Sequence, residues 1–380
     1  MTDILGPRDL PDGDGVHPSE SDDVAARRAR HTRVMLADGA KALVDNANVE
    51  VRALAVDGSL WPLVLANPGT PNSDVCSPYT WYARYVPAEL ANRGSRLEAL
   101  LARARGLPIE ALLAALGAER VVYVNNWLLA TNPSYGIPAA AIAGVTSRLV
   151  AEWPDRAVVF RSVNPTLDRA GFEALRSAGY RLVRSRHVYL VDTREESFAL
   201  HTNVKVDLQL LERTRYEIVD DPERLRPWTR RMLDLYRTIY VAKYVRHNPQ
   251  FTERFFERTL TQRVFRYAGF FDGGRLDAIV AFFESGAALW SFLLGYDVTV
   301  DRKAGLYRLV VALLLREAQS RGLILNLSSG VGEFKTLRGG RAVDEFDAVY
   351  DAHLARHRRL PWRALQLASN RQLIDASLLA

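Results

Sequence analysis

The sequence predicts an α/β (α+β) chain of two related domains, each a mixed central sheet flanked by helices. Three observations carry this. Runs that alternate apolar and polar residues are interleaved along the chain with runs of helical period. The same order (strand, long helix, strand, short helix, long strand) occurs twice, which suggests duplication. The 380 residues, 48% hydrophobic and 25% charged, suffice for two cores and exclude a disordered or fibrous chain.

Residues 1–23 hold seven acids, one arginine and few apolar side chains, so a disordered acidic tail is expected there. Helical spacing starts near Val24, with Arg27, Arg28, Arg30 and Arg33 directly behind the tail. VEVRALAVDGSLWPLVLA, from Val49, alternates around Asp57-Gly58 and signals a hairpin. Helical patterns follow at about 79–92, 95–105 and 108–117, then a β-rich run over Val121–Ala130 and a helix at about 137–152. A strand at Ala157–Arg161 leads to a helix at about 167–178 that stops at Gly179, and a long strand covers Tyr180–Val191.

The second half opens with a strand near Tyr216–Val219 and a helix from about Pro222 to Tyr240. A polar loop, VAKYVRHNPQ, precedes a helix at about 250–262. Strands follow at Arg266–Phe271, Leu276–Glu284 and Ala287–Gly295, the first two joined by Asp272-Gly273-Gly274. A helix at about 304–321, a strand at Leu323–Ser328, a short helix at 331–338, a strand at Glu345–His353 and a helix at about 361–378 complete the order. The expected organisation is a tail at 1–23, a first domain at 24–195, a linker at 196–215, a second domain at 216–355 and a helical segment at 356–380.

The tail is net −6, so the rest of the chain carries +12 of the overall +6. A body this basic suits a polyanion such as a nucleotide cofactor or RNA, or arginines solvated on helix faces. The single cysteine, Cys76, leaves no disulfide framework and reads as a small buried hydrophobe. The longest apolar run, Val310–Leu315, falls far short of the roughly 18 residues a membrane span needs, so a cytoplasmic protein with no membrane partner is expected. Only His353 and His357 lie close together, beside Asp351, and no metal is expected. The phosphate-loop, dinucleotide-fingerprint, H-E-x-x-H and G-x-S-x-G patterns are missing.

One junction carries chemistry. The strand ALWSFLLGYD runs through VTVDRKAGLYR into the apolar helix LVVALLLREAQ. A tight Arg302-x-x-Gly305 turn at a helix start gathers backbone N–H groups, and these with the helix dipole favour a diphosphate. Here the chain resembles the GNAT superfamily of N-acyltransferases, whose pyrophosphate motif is Q/R-x-x-G-x-G/A. Arg302 and Gly305 match its first and fourth positions, and Tyr307 stands at the sixth. Gly330-Val331-Gly332-Glu333-Phe334-Lys335, continuing to Gly340, resembles the G-x-x-x-[YF]-K-x-x-x-G stretch of a GNAT branch that includes cellulose-biosynthesis-associated proteins. The tandem Fem-type aminoacyl transferases look similar. The resemblance covers about 216–355 and, through the order of elements, about 49–192.

The resemblance implies a tandem GNAT-like protein that moves an acyl group from acetyl-CoA or another acyl-CoA to the amine of a small molecule or peptide. Arg302, Lys303, Ala304, Gly305, Leu306, Tyr307 and Arg308 would hold the cofactor, with Lys335 after the next strand. Asp297 at the strand exit is the candidate base, with Glu284 weighed beside it. Tyr307 is the candidate acid, with Ser329 or water as alternatives, because Phe334 occupies the usual tyrosine position; Glu333 is the third catalytic candidate. Tyr240, Lys243, Tyr244, His247, Asn248 and Gln250 lie on the loop that forms the acceptor wall in this fold, or Asn248-Pro249 simply caps the next helix. The first half has no R-x-x-G turn and is expected to bind no cofactor. Its Asn125, Asn126 and Trp127 line a cleft or satisfy a nearby loop. Two other readings remain: a Fem-type transferase using aminoacyl-tRNA, and a catalytically degenerate GNAT fold serving as a binding module.

Overall fold

The computed structural model describes residues 2–9, 24–66, 68–69, 71–85, 88, 110–133, 136–243 and 245–370. The first half of the chain supplies strands Thr2–Leu5 (β1), Val49–Val56 (β2), Ser59–Ala66 (β3), Val121–Val124 (β4), Ala157–Val163 (β5) and Arg181–Asp192 (β6). The second supplies Glu217–Val219 (β7), Arg266–Asp272 (β8), Arg275–Ser285 (β9), Ala288–Tyr296 (β10), Ile324–Asn326 (β11) and Arg341–Tyr350 (β12). The main helices are Val24–Asp38 (α1), Ile142–Glu152 (α2), Arg169–Ser177 (α3), Thr202–Glu212 (α4), Thr229–Arg237 (α5), Glu253–Thr261 (α6), Leu306–Ser320 (α7), Gly332–Thr336 (α8) and Arg356–Asn370 (α9).

These elements fall into two compact units. Unit one comprises Met1–Arg186, Val245–Gln250 and Asp344–Leu379; unit two comprises His187–Tyr244 and Phe251–Val343. The boundaries differ from the consecutive domains expected from the sequence, because β6 and β12 each divide between the units.

In unit one, β1, β2, β3 and β4 pair antiparallel in that order, and β4 then runs parallel to β5. The β2–β3 hairpin turns as expected at Asp57 and Gly58, whose φ values of 49° and 81° are what a two-residue primed turn requires. The expected tail is corrected at its start: Thr2–Leu5 is an edge strand on β2, and Ile4 packs on the core. Residues 10–23 lie outside the described residues, as do the expected helix at 95–105 and residues 86–87 and 89–92 of that at 79–92; Thr80–Tyr85 forms a π-helical turn. The helix α2 lays Ile142, Val145 and Leu149 on Leu63, Leu65, Val122, Val124, Val158 and Phe160. Asp168 caps α3 by accepting the Gly171 N–H at 2.9 Å. The far edge of β5 is taken by β12, antiparallel, in the register Tyr350↔Val158 to Phe346↔Val163.

Unit two repeats the order. β7, β8, β9 and β10 pair antiparallel, and β10 then runs parallel to β11. That parallel pairing covers only Ala288–Trp290, after which β10 bulges near Phe292 and continues to Tyr296 away from its partner. The other edge of β11 is taken by the end of β6, with Leu190 opposite Asn326. Each unit thus completes its sheet with a strand from the opposite half of the sequence. At Gly295 the strand meets helix backbone: a Cβ there would lie 2.7 Å from the Leu235 carbonyl carbon and 2.8 Å from the Tyr236 nitrogen of α5.

The expected linker at 196–215 is also corrected. It contains α4, which packs on α7 and buries Val204 and Leu211. Asp207, on the same buried stripe, is fully covered and accepts from Arg308 Nε at 2.7 Å and Arg338 Nε at 2.6 Å.

Candidate functional site

In unit two, Gly305 has φ 65° and opens α7, as a tight turn needs. The amides of the turn are engaged within it. The Lys303 N–H donates to the Asp301 carboxylate at 2.9 Å, the Ala304 N–H to the Asp301 carbonyl at 2.9 Å, and the Gly305 N–H to the Arg302 carbonyl at 3.0 Å. A Cβ on Gly305 would lie 3.1 Å from Leu210 of α4. Arg302 and Lys303 are exposed, Leu306 is buried in the core, and Arg308 is held by Asp207. The turn therefore offers a diphosphate two cationic side chains rather than a cradle of amides at 303–305.

The other expected residues sit as follows. The Tyr307 ring packs 4.8 Å from Phe334 and 6.1 Å from Tyr296. Glu333 is exposed at the start of α8. Lys335 is buried and staples the strained loop before it, donating to the Ser328 and Ser329 carbonyls at 3.1 and 2.7 Å. In that loop Ser328, Gly330 and Val331 all have positive φ. Asp297 accepts the Thr299 amide and hydroxyl at 2.8 and 2.6 Å and Arg231 at 2.6 Å. Burial acts to raise its pKa, but these donors outweigh it and hold the carboxyl below its ordinary value. Glu284 pairs with Arg321.

The expected acceptor loop divides. Tyr240 stacks on Tyr236 in unit two; Tyr244 and the Lys243 side chain lie outside the described residues. His247, Asn248 and Gln250 belong to unit one. The His247 carbonyl accepts the Asp74 N–H at 2.9 Å and the Ser73 hydroxyl at 3.1 Å. The Asn248 carbonyl accepts from Asn46 Nδ2, and the Gln250 N–H donates to Asn46 Oδ1, both at 2.9 Å. Burial and then the nearby Arg84 charge lower the His247 pKa, favouring the neutral form of its half-buried ring.

The loop thereby borders a charged cluster that sequence reasoning missed. It lies at the carboxyl ends of β4 and β5, the end of a parallel pair where α/β folds place ligands. β4 ends at Val124 rather than reaching Ala130, because Asn125 and Asn126 divert the chain with their amides. Asn125 Oδ1 accepts the Trp127 indole N–H at 2.8 Å, and Asn126 Nδ2 donates to the Val75 carbonyl at 2.7 Å. Beside this exit β5 bulges: Arg161 and Ser162 together oppose Asp347 of β12, and Ser162 has φ 56°. Arg161 Nη1 reaches Asn126 Oδ1 at 3.3 Å.

The cluster comprises Asp74, Glu345 and Asp347 with Arg161 and Arg186. Glu345 is fully buried and accepts from Arg186 Nε at 2.9 Å; Asp347 accepts the Tyr82 hydroxyl at 2.8 Å. Asp74 accepts the Ser73 hydroxyl at 2.9 Å. Burial pushes the Asp74 pKa up to about 6, against the opposing pull of Arg161, the Ser73 hydroxyl and Arg186. Burial likewise raises Glu345 and Asp347, while Arg161 and Arg186 act to lower both. One sequence signal pointed here: the strand runs β6 and β12 carry several charged residues each, among them Arg184 and Arg186 on β6 and Asp344, Glu345 and Asp347 on β12. Cys76 is buried as expected, with its thiol pushed up to about 12 by burial.

Among the described residues no group of three or more His, Cys, Asp or Glu side chains could hold a metal ion, and no helix is long and apolar enough to cross a membrane. No protein-family model and no curated protein matches the chain. Among solved structures the chain is similar to L-PGS from Bacillus licheniformis, with 14% identity over 60% of this chain and 79% of that one at a TM-score of 0.43. It is similar to FemX, with 8% identity over 80% and 88% at 0.48. It is similar to a tandem GNAT protein from the clavulanic acid biosynthesis pathway, with 12% identity over 92% and 98% at 0.36. Each half of the sequence supplies a meander, a long helix, a parallel strand, a shorter helix and a final strand, so the chain is a mixed α/β tandem whose two halves share one order of elements.

Proposed function

We propose that the protein transfers an acyl group to an amine acceptor, with the unit-one cluster as the acceptor seat and Asp74 as the general base. One observation carries this reading. Three buried carboxyl groups share the site with two guanidinium groups, and burial pushes all three toward their neutral forms, so an incoming ammonium ion would favour the ionised carboxyl beside it. A base whose pKa is near 6 accepts that proton at neutral pH without binding it too tightly to release it. In the reaction the ammonium gives its proton to Asp74, the amine lone pair forms the C–N bond, and the thioester C–S bond breaks. The nitrogen sheds its second proton as the amide forms, and the thiolate, leaving with the bonding pair, takes up one proton through solvent, so one proton remains on Asp74. The proposed donor is acetyl-CoA or another acyl-CoA, supported by the R-x-x-G turn at the start of α7 and the exposed Arg302 and Lys303. Asp74→Asn keeps the side-chain shape but removes the base. Thiol release from acetyl-CoA in the presence of an amine panel should fall by about a hundredfold or more, and unchanged turnover would overturn the assignment.

A second reading, a binding module without CoA chemistry, is favoured by the same turn: its amides at 303–305 are engaged and Leu210 covers Gly305. Calorimetric titration with acetyl-CoA and a longer acyl-CoA separates the two. Heat with either supports the transferase, and no heat at millimolar ligand supports the module. An aminoacyl-tRNA donor would instead reveal itself by binding that weakens steeply with salt.

A further inference from the structure

The ion pair at the floor of the cluster is incompletely made. Arg186 and Glu345 touch through Nε and Oε2 alone, although a guanidinium and a carboxylate can meet through two parallel bonds. One of the two other guanidinium nitrogens, Arg186 Nη2, and the remaining oxygen, Glu345 Oε1, are both buried and have no hydrogen-bond partner. Arg186 is 8% exposed and Glu345 0% exposed, so bulk water does not serve these atoms. Each sits two bonds from an atom that makes the contact, which places one unused donor close to one unused acceptor.

Resting on the acceptor assignment above, we infer that the acceptor amine also carries a carboxamide, and that Arg186 Nη2 and Glu345 Oε1 hold its carbonyl and its N–H. A carboxamide presents an acceptor and a donor side by side and brings no net charge. A carboxylate in the same place would satisfy Arg186 but confront Glu345, and a plain alkylamine would leave both buried atoms unserved. The acceptor class is thus an amino-acid amide or a similar amine with a nearby amide group.

The test is calorimetric titration of the intact 380-residue chain, without any acyl donor, against leucinamide, leucine and isopentylamine, which share one side chain. Wild type should bind leucinamide roughly tenfold or more tightly than isopentylamine, the worth of the added contacts to charged groups. In Glu345→Gln the amide oxygen stays on Arg186 Nε and the NH2 replaces the free oxygen, so two donors face the ligand. Preference should then swing from leucinamide to leucine, a change that a merely structural role would not produce. Arg186→Lys, checked for folding by its melting curve, should erase the leucinamide advantage. Equal binding of leucinamide and isopentylamine by wild type, or an unaltered order in Glu345→Gln, would mean that these two atoms hold no ligand group; the amine-acceptor reading would survive. No binding of any of the three at millimolar concentration would overturn both.

Discussion

Asp74 and His31 are buried titratable groups whose effects on stability run in opposite directions over the same pH range. The folded pKa of Asp74, about 6, lies above its ordinary 3.8, so the folded chain keeps a proton that the unfolded chain has released. Stability from this group is full below about pH 4 and is lost as pH rises through 6, at a cost of about 3 kcal/mol. His31 stacks on Trp127, and burial lowers its pKa from 6.5 to about 4. Its contribution is full above pH 6.5 and is lost as pH falls toward 4. The wild-type melting profile blends the two, but Asp74→Asn removes only one. That variant should melt several degrees above wild type at pH 7.5, and the gap should close by pH 4. A gap that persists at pH 4 would show that the gain comes from packing. The base proposed for catalysis is thus a liability for folding at the pH where it works, a common arrangement at active sites.

At the scale of elements, the local signals were reliable where local chemistry decides. Asp57-Gly58 announced its hairpin because two left-handed residues are needed there and those residue types supply them. The helix α4 was read as a linker because its buried stripe includes a carboxylate, Asp207, whose burial makes sense only with Arg308 and Arg338, 101 and 131 residues away. Asp207→Ala leaves Arg338, itself 4% exposed at its side chain, without its partner; it should cost about 3–5 kcal/mol in urea unfolding. The cluster was illegible for the same reason, since Arg186 and Glu345 meet across 159 residues. Gly295 gave no signal at all, yet α5 backbone lies against it. Gly295→Ala should cost about 1–3 kcal/mol, because main chain cannot move aside as a side chain can. A neutral result would mean that α5 shifts freely on the sheet.

For the whole molecule, the exchange of strands matters more than the repeated order. The sequence revealed that two similar halves exist, but strand pairing between residues some 130–190 apart has no local signature. The consecutive domains expected at 24–195 and 216–355 are therefore not independent pieces. A fragment ending at residue 195 lacks β12, and the apolar edge of β5, Val158–Val163, is left bare. Expressed alone, that fragment should give little soluble folded protein by circular dichroism, and co-expression with residues 196–380 should restore it. A soluble, cooperatively melting fragment would show that β12 is dispensable to unit one.

The same pairing sets a schedule during synthesis. β5 leaves the ribosome roughly 180 residues before the strand that covers it. At about 5–20 residues per second, its bare edge waits roughly 9–36 s for a partner. Throughout that interval the nascent chain carries a hydrophobic template to which any passing extended peptide can add, so trigger-type chaperones have a defined target. Heterologous production should accordingly be limited by translation speed and temperature at this one strand, rather than by the equilibrium stability of the finished protein.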